Sequence, residues 1–218
     1  MQLTLSLKNV ELLFIGINGY PLLGILWNLI LVFVAYFLTQ KIAEWLKKRS
    51  WKKLSSLDRF VFSVAFLMWF FWFPNIAYLF TENRHLLGQC EDYDYLHVCP
   101  SEAWMLIVFF AYSLIGVPVF IYVLQKMTGI LKQLFNKNLR HFPLVMIPLT
   151  ALGMLIGLID RLNTWDIIHH PFSVIQTGLS YFSDANRFLN FIVFTGALYL
   201  IYYGAIFCVN RVMGEKWE

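Results

Sequence analysis

The chain has 218 residues, 59% of them hydrophobic and 14% charged, with a formal net charge of +4. A water-soluble domain of this length has too little interior to hide so much apolar surface, so an integral membrane protein is the indicated class. The basic residues lie in short runs beside apolar stretches, with no soluble domain to present them, which argues against nucleic-acid binding.

The opening MQLTLSLKNVELLF lacks a basic n-region followed by a short apolar core and a small-residue cleavage site, so no removable signal peptide is expected. Residues 10–41 form too long a run for one upright crossing, and Gly19 and Pro21 interrupt it. The pattern predicts a first span over about 21–41, with residues 3–18 as an interfacial or re-entrant segment. Further spans are predicted over about 58–80, 103–126, 143–161 and 187–210. The expected fold is therefore an all-α membrane bundle of about five helices in a single domain, 1–218. No internal repeat is visible, and an odd span count argues against a simple inverted-repeat transporter.

Loops 42–57 and 127–142 are rich in Lys and Arg, whereas loops 81–102 and 162–186 carry more acid than base. The positive-inside rule places the basic loops in the cytoplasm, the N-terminus outside and the C-terminus inside. In the second basic loop Ile130, Leu131, Leu134, Phe135, Leu139 and Phe142 share a face opposite Lys132, Lys137 and Arg140. Such a helix lies on anionic headgroups, as an anchor in the first instance and a docking surface in the second. Cys90 and Cys99 fall in an outer loop, where an oxidising compartment favours a structural disulfide over a metal role, and Cys208 within the fifth span reads as an apolar filler.

Polar residues gather at the outer rim. From Pro143 to Arg161 is about 27 Å of helix, nearly the hydrocarbon thickness, so Asp160 and Arg161 emerge there. Thr81, Glu82 and His85 end the second span at that level, Glu102 and Trp104 open the third, and Asp184, Asn186 and Arg187 precede the fifth. Glu82 and His85 are three apart, as are Asp166 and His169, so each pair shares a helical face. Together they make a candidate divalent-metal site, although ordinary interfacial hydration is the simpler explanation. Within the spans, Asn28 and Asn75 read as interhelical glue, Pro74 frees the carbonyl four residues earlier, and Pro118 predicts a kink. PFSVIQTGLSYF repeats Phe172, Ile175, Leu179 and Phe182 at helical spacing, which predicts an interfacial helix starting at Pro171, a lid or a linker.

FWFPNIAYLFTENRHLLG (71–88) resembles a signature of the form FxPNxxYxxTDxxHL, and GLIDRLNTWDIIHHP (157–171) resembles GRxLRWNSWDxxxxP. EAWMLIVFFAYSLIGVPVFIYVLQ (102–125) and ILWNLILVFVAYFL are similar to two further spans of the same set, so the likeness covers about residues 22–175. The set is the bacterial membrane family catalogued as domain of unknown function number thirteen sixty-one. The resemblance implies a polytopic bacterial cytoplasmic-membrane protein with motif positions Asn28, Pro74, Asn75, Tyr78, Thr81, Glu82, His85, Trp104, Gly157, Arg161, Asn163, Trp165 and Asp166. Glu82 stands in place of Asp, and Leu158 and Leu162 in place of Arg and Trp, while His169 and His170 fall outside the pattern.

Two functions from different classes follow. In the first, the outer rim binds or processes a lipid or lipid-linked substrate. Glu82, His85 and Asp166 then supply acid, base or metal ligation, with His169 as an extra ligand, Arg161 contacts an anionic headgroup, and Asn163, Trp165, Asn75, Tyr78 and Trp104 complete the binding surface. In the second, the chain is a non-catalytic scaffold or subunit, with the same residues as a clasp between the second and fourth spans, for example Glu82 to Arg161. Membrane lipids are the expected partners, with membrane-protein partners or a homo-oligomer left open; beyond the candidate divalent metal no cofactor is indicated.

Overall fold

A computed structural model describes residues 16–17, 20–47, 49–86 and 103–213, with side chains over most of that range. Its five longest apolar segments, Gly24–Trp45, Ser56–Glu82, Phe109–Phe135, Phe142–Ile159 and Ala185–Arg211, are each long enough to cross a bilayer, and the protein is an all-α membrane bundle.

A minimal antiparallel pair, β1 (Gly16–Ile17) with β2 (Tyr20–Pro21), leads into α1 (Leu22–Trp45). After a 3-10 turn at Trp51–Lys53, α2 (Ser56–Trp72) starts from a capping box. There the Ser55 hydroxyl accepts from the Asp58 N–H and the Asp58 carboxylate accepts from the Ser55 N–H, which satisfies two donors the first turn leaves open. The Pro74 ring cannot continue the helix, so α2 ends at Phe73 and Pro74 becomes the first residue of α3 (Pro74–Tyr78). A 3-10 stretch, Leu79–Leu86, follows.

The third crossing, α4 (Ala103–Phe135), is nine residues longer than hydropathy alone predicts. No residue after Gln125 breaks it, and Pro118 lies within it without ending it. Ile130, Leu131 and Leu134, expected to face lipid headgroups, are instead buried, and Gln133 Nε2 donates to the Leu46 carbonyl at 3.0 Å. The amphipathic stripe is thus used against the protein's own α1 terminus and the 51–54 turn, because covering Leu46 and Leu54 removes apolar surface from water.

Then come α5 (Phe142–Ile159), the single-turn α6 (Asp166–His169), α7 (Pro171–Ser183) and α8 (Ala185–Met213). The helix expected from Pro171 is α7. Cys208 on α8 is exposed; Cys90, Cys99 and nearly all of 3–18 lie outside the described residues.

An aromatic ladder runs through the centre. Phe62, Phe66, Trp69 and Phe73 are spaced at four, three and four residues, so one face of α2 carries them all. Their rings stack at 5.9, 5.5 and 4.9 Å, and Phe73 continues onto Phe120 of α4 at 5.3 Å. Two glycines let the backbones close around this ladder. A Cβ on Gly116 would lie 2.7 Å from Phe80, and one on Gly153 would lie 2.9 Å from the Pro74 ring. Inside the bundle, Thr39 and Thr150 return their hydroxyls to carbonyls four residues back, which satisfies both donors locally.

Candidate functional site: a cavity under the fourth-span turn

The second signature stretch forms a turn that folds back over α5. Arg161, two residues past Ile159, has φ 58°, the left-handed conformation that helix ends usually assign to Gly. That reversal directs Leu162, Asn163 and Thr164 toward the first three helices, and Asp166 holds the turn. Its Oδ2 accepts from the Asn163 N–H at 2.6 Å, and its own N–H donates to the Asn163 carbonyl at 2.9 Å.

Beneath the turn lies a cavity of about 420 Å³, walled by α1, the α2–α3 junction, α5 and α7. This is within the usual range for ligand pockets, roughly 300–1,000 Å³. Most of the wall is apolar, including Leu31, Phe70, Leu149, Leu152, Ile175 and Leu179. Its polar members are Asn28, Asn75, Tyr78, Thr150, Asn163 and Thr164. From Met146 to Gly157 the α5 wall descends about 16 Å, half the hydrocarbon thickness. On α7, Ile175, Leu179 and Phe182 line the cavity while staying more than half exposed, so this wall adjoins the bundle surface.

Asn75 connects the two signatures. Its Nδ2 donates to the Trp72 carbonyl at 3.0 Å and to Thr164 Oγ1 at 3.3 Å. The carbonyl it serves is three residues back, released by the break at Phe73, rather than the one four residues before Pro74. Asn75 therefore ties the α2–α3 junction to the turn that follows α5, and it is also cavity wall. Tyr78 packs over Gly157, where an added Cβ would lie 3.7 Å from its ring. Trp165 packs edge-on against Trp27 of α1, centroids 6.4 Å apart.

Asn75, Tyr78 and Asn163 thus share one cavity, with Trp165 against its Trp27 wall. The ionisable candidates lie elsewhere. Glu82 is fully buried in the 79–86 stretch that packs on α4, and it is not a cavity residue. Asp166 is engaged by its own turn, and Arg161 is exposed and in no ion pair among the described residues. His169 and His170 are exposed, their rings 6.5 Å apart. The His85 and Trp104 side chains lie outside the described residues, and among those described no three His, Cys, Asp or Glu side chains converge as a metal site would require.

Two features were not anticipated. Tyr112, in the first third of α4, donates its hydroxyl to the Ile25 carbonyl of α1 at 3.3 Å. With Ser113, whose hydroxyl donates to the Leu79 carbonyl at 3.0 Å, it is polar inside an apolar run, and that was the available signal. The second is an ionic clasp beside the cavity. Arg187 of α8 reaches Asp160 at 3.0 Å, and the buried Tyr181 hydroxyl of α7 donates to the same carboxylate at 2.9 Å. The Arg187 guanidinium also lies 5.1 Å over the Tyr181 ring and donates to Ser180 Oγ. Burial first, and the bond to Asp160 second, push the Tyr181 hydroxyl above its ordinary range, so it remains a donor. Acids and bases at this rim join α5, α7 and α8, a different set of helices from the second-to-fourth-span clasp expected.

Residues 27–202 match the family described as Protein of unknown function (DUF1361). No curated protein and no solved structure matches the chain.

Proposed function

Since the chain belongs to the DUF1361 family, and since the match over 27–202 takes in every wall of the cavity, we propose that the protein binds a lipid or lipid-linked substrate from the outer leaflet. The acyl or prenyl chain occupies the space between α1, α5 and α7, and the polar end lies at the Asn75–Asn163–Thr164 rim. The protein is a multi-pass protein of the bacterial cytoplasmic membrane, with the basic 42–57 segment in the cytoplasm. One observation carries this reading: a cavity with apolar walls and a few convergent polar groups, set beside an amphipathic helix whose apolar side is open.

The test is native mass spectrometry of protein extracted with its membrane lipids. Wild type should carry a bound lipid through mild delipidation. Gly178→Leu should lose it while keeping its melting temperature: the nearest atoms to a Cβ there are Ile156 and Leu152 at 3.8 and 4.0 Å, so the new side chain fills the cavity without meeting backbone. A wild type that retains no lipid, or a Gly178→Leu variant that retains it fully, refutes the reading.

A second reading is favoured by the Asp160–Arg187–Tyr181 clasp: a structural membrane subunit whose rim polarity only holds α7 and α8 in place. It predicts a cavity that binds nothing.

A further inference from the structure

The chemistry of the cavity wall selects among lipids. Among the described lining residues there is no Asp, Glu, Lys, Arg or His. The polar lining is made of amides and hydroxyls, each able to donate and to accept. Asn75 commits its Nδ2 to the Trp72 carbonyl and Thr164 Oγ1, which leaves Oδ1 as the acceptor it offers. Thr164, accepting from Asn75, keeps its own hydrogen to donate. Of the charges closest in sequence, Asp160 is held by Arg187 and Asp166 by its turn N–H, while Arg161 is exposed and is not among the lining residues.

A phosphate drawn into such a space would lose its hydration and meet no guanidinium or ammonium among the described lining residues, and an ion buried without a partner is the costliest occupant a cavity can have. A hydroxyl loses far less hydration and finds amide partners in exchange. At the rim, Trp27 and Trp165 add edge-to-face indoles, each an apolar surface with one N–H, suited to the alternating C–H and O–H faces of a polyol.

We propose that the group held at this rim is an uncharged, hydroxyl-bearing lipid head, and that phosphate-bearing headgroups are excluded from the cavity. This rests on the lipid-binding reading above. The shared chemistry has two sources, a sugar headgroup or the bare alcohol of a diacylglycerol, and the lipids compared separate them.

The purified protein is reconstituted in phosphatidylcholine nanodiscs doped equally with monoglucosyldiacylglycerol, diacylglycerol and phosphatidylglycerol of one acyl composition. The lipids retained after ejection are then counted by mass spectrometry. One or both of the uncharged lipids should be retained at least about tenfold over phosphatidylglycerol. If the glucosyl lipid leads, the sugar is the source; if diacylglycerol leads, the alcohol is. Asn163→Leu, at an exposed position where folding is not at stake, should reduce that preference at least about threefold, and Asn75→Leu should do the same where it folds. Equal or preferred retention of phosphatidylglycerol overturns the proposal while leaving lipid binding intact. So does a preference unchanged in Asn163→Leu. Retention of no lipid, in wild type as in Gly178→Leu, overturns the lipid-binding reading and this proposal together.

Discussion

Asp160→Ala should destabilise the protein more than any other single change at the outer rim. The side chain is 15% exposed and receives both Arg187 Nη1 at 3.0 Å and the Tyr181 hydroxyl at 2.9 Å, so its removal strands two groups. Tyr181 is fully buried, and a buried hydroxyl without its acceptor costs about 1–3 kcal/mol. Arg187 is one-third exposed and retains Ser180 Oγ, so its loss lies nearer the surface-pair value than the buried-pair one, about 1 kcal/mol. The sum is about 2–4 kcal/mol, or about 4–16 °C in melting temperature for a chain of this size. Tryptophan fluorescence during heating at a fixed scan rate measures it. Asp160→Asn, which keeps an acceptor for Tyr181 and loses the charge, should show about half that shift. The Asp160→Ala/Tyr181→Phe cycle should give a coupling of about 1 kcal/mol or more. An Asp160→Ala protein melting within about 1 °C of wild type, or a cycle without coupling, would mean that the clasp is incidental.

Gly153→Ala, its Cβ 2.9 Å from the Pro74 ring, should cost about 1–3 kcal/mol, whereas Gly157→Ala, with 3.7 Å of room, should melt near wild type. Asn75→Ala exposes the Trp72 carbonyl to an apolar surround and cuts the tie to Thr164; a loss of about 1–3 kcal/mol is expected, and a melt equal to wild type would count against Asn75 as glue. Arg161→Gly should be stabilising by about 1 kcal/mol, since the left-handed backbone is strained for Arg; a large loss of lipid retention instead would restore Arg161 as a headgroup contact. The raised Tyr181 pKa sets the sign of an alkaline effect. Its stabilisation is fully present below about pH 10, the unfolded value, and falls as pH rises from there toward the folded one. Wild type should therefore lose stability between pH 9.5 and 11 by more than Tyr181→Phe does, and parallel losses would refute it.

Apolar runs of about 20 residues determine by themselves that this chain crosses a membrane, because lipid tolerates only backbone that bonds internally. The five crossings and the helix from Pro171 were legible in this local way, since each depends on a residue's own hydrogen-bonding capacity and its nearest neighbours, whereas the second span, expected unbroken over 58–80, is interrupted at Pro74. The signature residues were legible as positions, and Asn75, Tyr78 and Asn163 do meet in one cavity. Their roles were not. Similar depth along separate helices suggested that Glu82 and Asp166 face one another, but depth leaves the rotation of each helix open. Rotation is decided by packing: Gly153 admits Pro74, Gly116 admits Phe80, and Glu82 is carried against α4 while Asn75 turns to Thr164. The amphipathic stripe at Ile130, Leu131 and Leu134 has the same origin, for a periodic apolar face demands a cover without naming it, and tertiary contact supplied α1 in place of lipid. Hydrophobicity and backbone hydrogen bonding settle how often the chain crosses the membrane; which side chains meet depends on close packing among helices distant in sequence.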